Sequence, residues 1–268
     1  MKLAAIGSNC IDYYSNLDGG TAFAGGGPVN MAVYTKRLGG EASYIGPVGT
    51  DEYGQMMIEQ LANKGVDTSH IRIEAGETAI SYISLDDGER ILGMYDEGVM
   101  EQNQLSSEDL DFIEKHDLVV CDLWGNLETS LKEIKRRGVP IAFDCADRPD
   151  DNASQIALLS SDYVFFSANE QKASELRKSM KQLHSYGPKL VIAMLGDQGS
   201  LCFDGREFHE YGIYASNQVV DTLGAGDSYI AGFLTALIDQ KSIYDCMSLG
   251  AKTASETIGY FGAWKTND

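Results

Sequence analysis

Six short apolar runs, at residues 3–7, 44–48, 118–121, 141–143, 163–166 and 190–195, constrain the fold more than any other feature of the chain. Each is apolar almost without interruption, the pattern of a strand buried on both faces and hence of a parallel sheet. Helical patterns fall between them. Pro28 suits a first helical turn, where its missing N–H costs nothing. Tyr53, Met57 and Leu61 repeat at i, i+4, i+8, and a third helix is expected from Ser106 or Ser107 toward His116. Ile230, Phe233, Leu234 and Leu237 form a further stripe near the C-terminus. Strands alternating with helices predict an α/β fold, a three-layer sandwich around a mostly parallel sheet.

Two segments break the rhythm. Residues 11–23 are strand-like without a helix, and residues 77–99 read as a hairpin of strands 78–85 and 90–95 about a turn at Asp86-Asp87-Gly88. Together they predict a small β lid beside the main sheet, on a single domain spanning 1–268. An alternative is two unrelated surface excursions.

With 40 acidic and 21 basic side chains, the formal net charge is −19. Such a field repels nucleic acid and anionic membranes, so neither is expected as a partner. A bound nucleotide would need local backbone dipoles and a metal ion to neutralise it. The five cysteines are odd in number and form no CxxC pair, which fits buried reduced thiols rather than disulfides or zinc. No apolar run reaches membrane length, and Met1-Lys2-Leu3 leads into a strand-like stretch without a signal-peptide pattern. A cytoplasmic protein is expected.

The sharpest motif is Asp221-Thr222-Leu223-Gly224-Ala225-Gly226-Asp227, directly ahead of the last helical stripe. Small residues let the backbone approach a ligand, and N–H groups at a helix N-terminus favour an anion. A carboxylate in the first turn could accept a hydroxyl proton while those N–H groups hold phosphoryl charge. The same residues also fit a glycine-rich turn capped by Asp227. A second cluster, Gly25-Gly26-Gly27-Pro28-Val29-Asn30, leads into a helix whose first turn carries an amide able both to donate and to accept, as a polyol requires. Loop-to-helix junctions of no special role share this composition.

Taken together, Gly25-Gly26-Gly27-Pro28-Val29-Asn30-Met31-Ala32 and Asp221–Asp227 with Ser228-Tyr229-Ile230-Ala231-Gly232-Phe233-Leu234 resemble the N- and C-terminal signatures of the ribokinase-like (PfkB-type) sugar kinases, in the expected order and separation. The resemblance implies ATP and Mg²⁺, with K⁺ as a further cofactor in many relatives, and a homodimer formed through the lid with Ile80, Tyr82 and Ile83 on its face. By the same resemblance Asp227 is the general base, and Gly224, Ala225 and Gly226 form the anion hole. Asp12, Gly26 and Asn30 bind the sugar. Gly196, Gly199 and Thr222, with Gly224 and Gly226, lie along the nucleotide, and the backbone near Asp221 is a candidate monovalent-cation site. The family's Asn-x-x-Glu stretch corresponds to Ser167-Ala168-Asn169-Glu170: Glu170 is the candidate organiser of Mg²⁺ through water, while Ser167 replaces the Asn.

Within the family, Gly7-Ser8-Asn9-Cys10-Ile11-Asp12, Glu97-Gly98-Val99-Met100, Trp124-Gly125 and Gly262-Ala263-Trp264 are similar to the fructoselysine 6-kinase branch. That similarity implies a fructosamine acceptor phosphorylated at a primary hydroxyl, with Asp96 and Glu97 as possible counter-charges for its amine. The alternatives are a fructokinase or nucleoside kinase, or a non-catalytic sugar- or nucleotide-binding relative. A dinucleotide-binding oxidoreductase is disfavoured, because no G-x-G-x-x-G follows the first strand.

Overall fold

The structure is a computed structural model that describes residues 1–86, 89–168, 172–215 and 218–265. Its strands are β1 (Lys2–Ile6), β2 (Cys10–Tyr14), β3 (Thr21–Gly25), β4 (Glu41–Gly49), β5 (Asp67–Glu74), β6 (Ile80–Asp86), β7 (Glu89–Asp96), β8 (Leu118–Asp122), β9 (Ile141–Asp144), β10 (Tyr163–Ser167), β11 (Leu190–Met194), β12 (Ser200–Phe203) and β13 (Phe208–Tyr211). The helices are α1 (Gly27–Arg37), α2 (Glu52–Asn63), α3 (Ser107–Ile113), α4 (Leu131–Arg136), α5 (Asn152–Leu158), α6 (Ala173–Ser185), α7 (Ala225–Ile238) and α8 (Ile243–Thr257).

Nine strands form one sheet in the order β13-β12-β11-β10-β9-β8-β1-β4-β5. All neighbours from β11 to β5 run parallel, and β12 alone runs against them at one edge, paired antiparallel with both β11 and β13. Alternate strand side chains feed two cores. Leu3, Ala5, Val120, Ala142, Phe165 and Ile192 pack under α1, α2, α7 and α8. Ala4, Ile6, Val119, Phe143, Val164 and Val191 pack under α3 to α6. This is the expected three-layer sandwich, each strand buried on both faces because its Cβ atoms alternate.

The chain leaves β1 toward β4 and β5 on one side, then returns to β8, β9, β10 and β11 on the other. The strand order therefore reverses between β1 and β8, and in open α/β sheets ligands bind in the crevice outside the carboxyl ends at such a point.

A separate sheet, β3-β2-β6-β7, is built from the two segments that broke the rhythm. β6 begins at Ile80 rather than Thr78 because Thr78 is already committed: its N–H and hydroxyl both donate to Asp51, at 2.9 and 2.6 Å. Asp51 also caps α2 by accepting from the Gly54 N–H, so one carboxylate ties the start of the small sheet to the large one. Of the three lid residues expected to form an apolar face, Ile83 is buried, Ile80 is half-buried and Tyr82 is exposed, as alternation along one strand requires. The turn at Asp87 and Gly88 lies outside the described residues. α3 stops at Ile113, short of His116, and is opened by a Ser106–Asp109 capping box. α7 is buried on more than its apolar stripe, from Ser228 through Leu234, because it packs on α8 as well as on the sheet.

Candidate active site

The first-strand loop, the start of α1, the start of α7 and the C-terminal segment meet beyond the carboxyl end of the sheet. Gly26 precedes α1 at φ +104°, and a Cβ there would lie 2.7 Å from the Asn9 Cα and 2.8 Å from the Ser8 carbonyl oxygen. Only glycine allows the two loops to touch this way. The first turn of α1 then turns Asn30 inward, where it is buried. Its Nδ2 donates to Asp227 Oδ2 at 2.7 Å, and its Oδ1 accepts from the Trp264 indole N–H at 2.8 Å. A chain of hydrogen bonds from Trp264 through Asn30 thus sets the orientation of the Asp227 carboxylate.

Asp227 stands in the first turn of α7. Gly224 caps that helix at φ +73°, and a Cβ there would meet the Ala263 Cβ at 2.7 Å, so the glycine lets the C-terminal segment close over the turn. The Ala225 N–H points to the Thr222 carbonyl at 3.3 Å. The Gly226 and Asp227 N–H groups, at the start of the helix, lack intrahelical acceptors, and N–H groups in that position favour an anion. Burial, helped by the nearby negative charge of Asp122, raises the Asp227 carboxyl to about 7 against the opposing Asn30 hydrogen bond.

Two further carboxylates lie close by, and neither was expected from the sequence. Asp122 ends β8 and is buried; its Oδ1 accepts from the Ser8 N–H at 2.9 Å and its Oδ2 from the Ser8 hydroxyl. Asp144 ends β9, with Oδ1 accepting from the Ala146 N–H at 3.0 Å. Burial raises Asp122 to about 6, and burial with the Asp227 charge raises Asp144 to about 8. A usable signal was present, since each residue directly follows an apolar run, at the strand end where α/β sheets bind ligands.

Asp12 lies on β2, buried, its carboxylate against Gly25 and within 3.7 Å of the Cys10 sulfur. The structure thus brings Asp12, Gly26, Asn30 and Asp227 into one neighbourhood: Asn30 bonds Asp227, and the charges of Asp12 and Asp227 both reach Cys10. Gly196, Gly199 and Thr222 come together elsewhere, lining a largely apolar cavity of about 480 Å³ with Ile213, Val219 and Ala254. Ala225 lines the same cavity, so it opens toward the start of α7. Asp221 is buried; its carboxylate accepts from the Leu223 and Gly262 N–H groups, each at 3.0 Å, and so shapes the loop ahead of Gly224. Glu170 lies outside the described residues. Asp96 and Glu97 are exposed: Asp96 closes a turn to the Gly98 N–H, and Glu97 accepts from Asn126.

Comparison with known structures places this fold among the ribokinase-like proteins. Arabidopsis thaliana ribokinase with ribose and ATP superposes with a TM-score of 0.85 at 24% identity, over 97% of this chain and 93% of that one. Fructokinase with bound ATP from Xylella fastidiosa gives 0.83 at 21% identity, over 98% and 93%. Residues 2–268 match the family described as pfkB family carbohydrate kinase. The chain belongs to that family and is an ATP-dependent carbohydrate kinase. It is 39% identical to a fructoselysine 6-kinase of Shigella flexneri, over 98% of this chain and 99% of that protein. It is 36% identical to the fructosamine kinase FrlD of Bacillus subtilis, over 98% and 93%. No described helix is long and apolar enough to cross a membrane.

Proposed function

We propose that this kinase transfers the γ-phosphoryl group of ATP to the 6-hydroxyl of a fructosamine such as fructoselysine, with Asp227 as general base. The observation that carries the catalytic part is the Trp264–Asn30–Asp227 hydrogen-bond chain. It holds a carboxylate of about neutral pKa beside helix-start N–H groups. A base of that pKa is half ionised near neutral pH and strong enough to take a hydroxyl proton as the oxygen attacks. The Gly226 and Asp227 N–H groups stabilise charge on the arriving phosphoryl group. Asp12, Gly26 and Asn30 hold the sugar. The apolar cavity beside Gly196, Gly199 and Thr222 suits a flat nucleobase, with the phosphates directed toward α7. The relatives named above for fructoselysine and fructosamine support the acceptor class.

Mg²⁺ takes hard oxygen donors; Asp144 offers such oxygens near the site, and Glu170 is the further candidate from the sequence. When bound, the metal neutralises phosphate charge. K⁺ is proposed at the loop shaped by Asp221. We read the four-stranded sheet as a lid on a single domain, and its exposed Tyr82, Ile91 and Met94 as the face of a lid-to-lid homodimer. Sedimentation should give a dimer at micromolar concentration; a monomer there refutes that contact. The acceptor is tested by ATP consumption with fructoselysine, other fructosamines, fructose, ribose and nucleosides. Fructoselysine should give the highest kcat/KM and a 6-phosphate product. A tenfold preference for fructose, ribose or a nucleoside, equal to about 1.4 kcal/mol, refutes the acceptor while leaving the kinase.

A further inference from the structure

The sugar cleft carries a charge problem that the hydroxyl-binding residues do not solve. Asp122 Oδ2 and Asp227 Oδ1 each lie 3.4 Å from the point where a Gly27 Cβ would begin, so the two carboxylates face one small volume. Asp144 lies in the field of both: the Asp227 and Asp122 charges raise it. Asp122 is buried and the other two are partly so; hydrogen bonds from Ser8, Asn30 and Ala146 oppose the loss of water, and no basic side chain contributes to any of the three. Asp122 is the most enclosed of the three, and a buried carboxylate without a cation is costly. A neutral ketose would leave that cost in place, whereas an acceptor with its own positive charge would remove part of it.

Resting on the fructosamine reading above, we propose that Asp122 is the counter-ion of the substrate's secondary ammonium and the residue by which the cleft selects a fructosamine over a neutral ketose. Its position fits. Asp122 stands at the β1/β8 reversal, where the strand order opens the ligand crevice. Both of its oxygens are fixed by Ser8, the N–H to one and the hydroxyl to the other, which leaves each oxygen a lone pair for a cation. The short turn Leu123–Gly125 that follows packs against Gly7, and a Gly125 Cβ would lie 3.2 Å from Asp122 Oδ1. Asn126 then donates to Glu97 and to the Met100 carbonyl at the base of the small sheet. The polypeptide therefore runs from the carboxylate to the lid base in four residues.

That path gives the amine's substituent a way out. Trp124, two residues beyond Asp122, is 43% exposed, and the Arg148 guanidinium lies 5.0 Å over its ring. An aminoacyl tail leaving the cleft there meets an apolar wall and then a cation suited to its carboxylate. Asp96 and Glu97, the pair suggested by the sequence, are exposed to water, where a charge contact is worth little.

The test compares three acceptors with ATP and Mg²⁺: 1-deoxy-1-(propylamino)fructose, which carries the ammonium without a lysine; 1-deoxy-1-(propanoylamino)fructose, an amide with the same three-carbon chain and no charge; and fructose. The wild type should prefer the amine to the amide by tenfold or more. Asp122→Asn should lower the ratio of kcat/KM for the amine to that for fructose about 30-fold or more, the lower end of what truncating one partner of a buried charge pair costs, on top of any common factor that reaches both acceptors through Asp227 and the Ser8 loop. If the wild type uses amine and amide equally, or if a folded Asp122→Asn variant loses the same factor on amine and fructose, the proposal is overturned. The wild-type comparison decides even if the variant fails to fold. If the wild type prefers fructose to every fructosamine, the acceptor reading itself falls, an outcome distinct from failure of Asp122 alone.

Discussion

Replacing Asp227 with Asn separates the chemistry of this site from its stability. The amide can still turn its oxygen toward Asn30 Nδ2, which now donates to Asp227 Oδ2 at 2.7 Å, so the Trp264–Asn30 chain survives. The base does not. Turnover should fall by about 10²–10⁴-fold, while the KM for the sugar changes by less than about threefold. Stability should move the other way. The folded carboxyl is raised from 3.8 to about 7, so between those values the folded protein binds more protons than the unfolded chain, and the group costs stability as pH rises. The cost is absent below about pH 4 and complete above about pH 7. A shift of this size sets a ceiling of about 4 kcal/mol. Asp227 retains some exposure in the open cleft, and screening by water reduces the figure to about 1–2 kcal/mol. The Asn variant should therefore melt a few degrees above wild type at pH 8, by about 2–4 °C per kcal/mol, and level with it at pH 4. Thermal melts at both pH values and initial rates across pH 5–9 provide the assay, with wild-type kcat/KM rising to a plateau above pH 7. Near-normal turnover in the variant would remove Asp227 from the mechanism. A variant less stable than wild type at pH 8 would refute the electrostatic account.

Three further outcomes are expected. Gly224→Ala forces a side chain into a φ of +73° and to 2.7 Å from the Ala263 Cβ; it should cost about 2 kcal/mol or more and lower kcat, seen as a lower melting temperature and slower turnover, and an unchanged enzyme would mean the turn is not held as described. Trp264→Phe removes the N–H that fixes Asn30 and leaves a buried amide oxygen unpaired, a loss of about 1–3 kcal/mol; kcat should fall more than KM rises, and a pure KM effect would deny Trp264 a part in orienting the base. Glu170→Gln should raise the Mg²⁺ concentration needed at fixed ATP while leaving the sugar KM alone; an identical Mg²⁺ titration would return Glu170 to the solvent.

The sequence by itself determined the layers. Runs such as 118–121 and 163–166 are too short and too uniformly apolar to be anything but strands covered on both faces, and covering them requires helices above and below. It also determined where the backbone turns sharply, because Gly26 and Gly224 occupy conformations that few other residues adopt. It did not reveal β5, an edge strand whose first four residues, Asp67 to His70, are all polar, or the edge pair β12 and β13. Local periodicity cannot say which strands become neighbours, and the site depends on that choice. Asp122 and Asp144 read as ordinary strand-end residues until β8 is set beside β1, and β9 beside β8, which brings both carboxylates within reach of Asp227. Asn30, Asp227 and Trp264, spread over most of the chain, read as separate polar or aromatic side chains until the C-terminal segment folds back over the start of α1. Their pKa values, their orientation and the charge the cleft seeks in a partner arise from burial and proximity, which exist only in the folded protein.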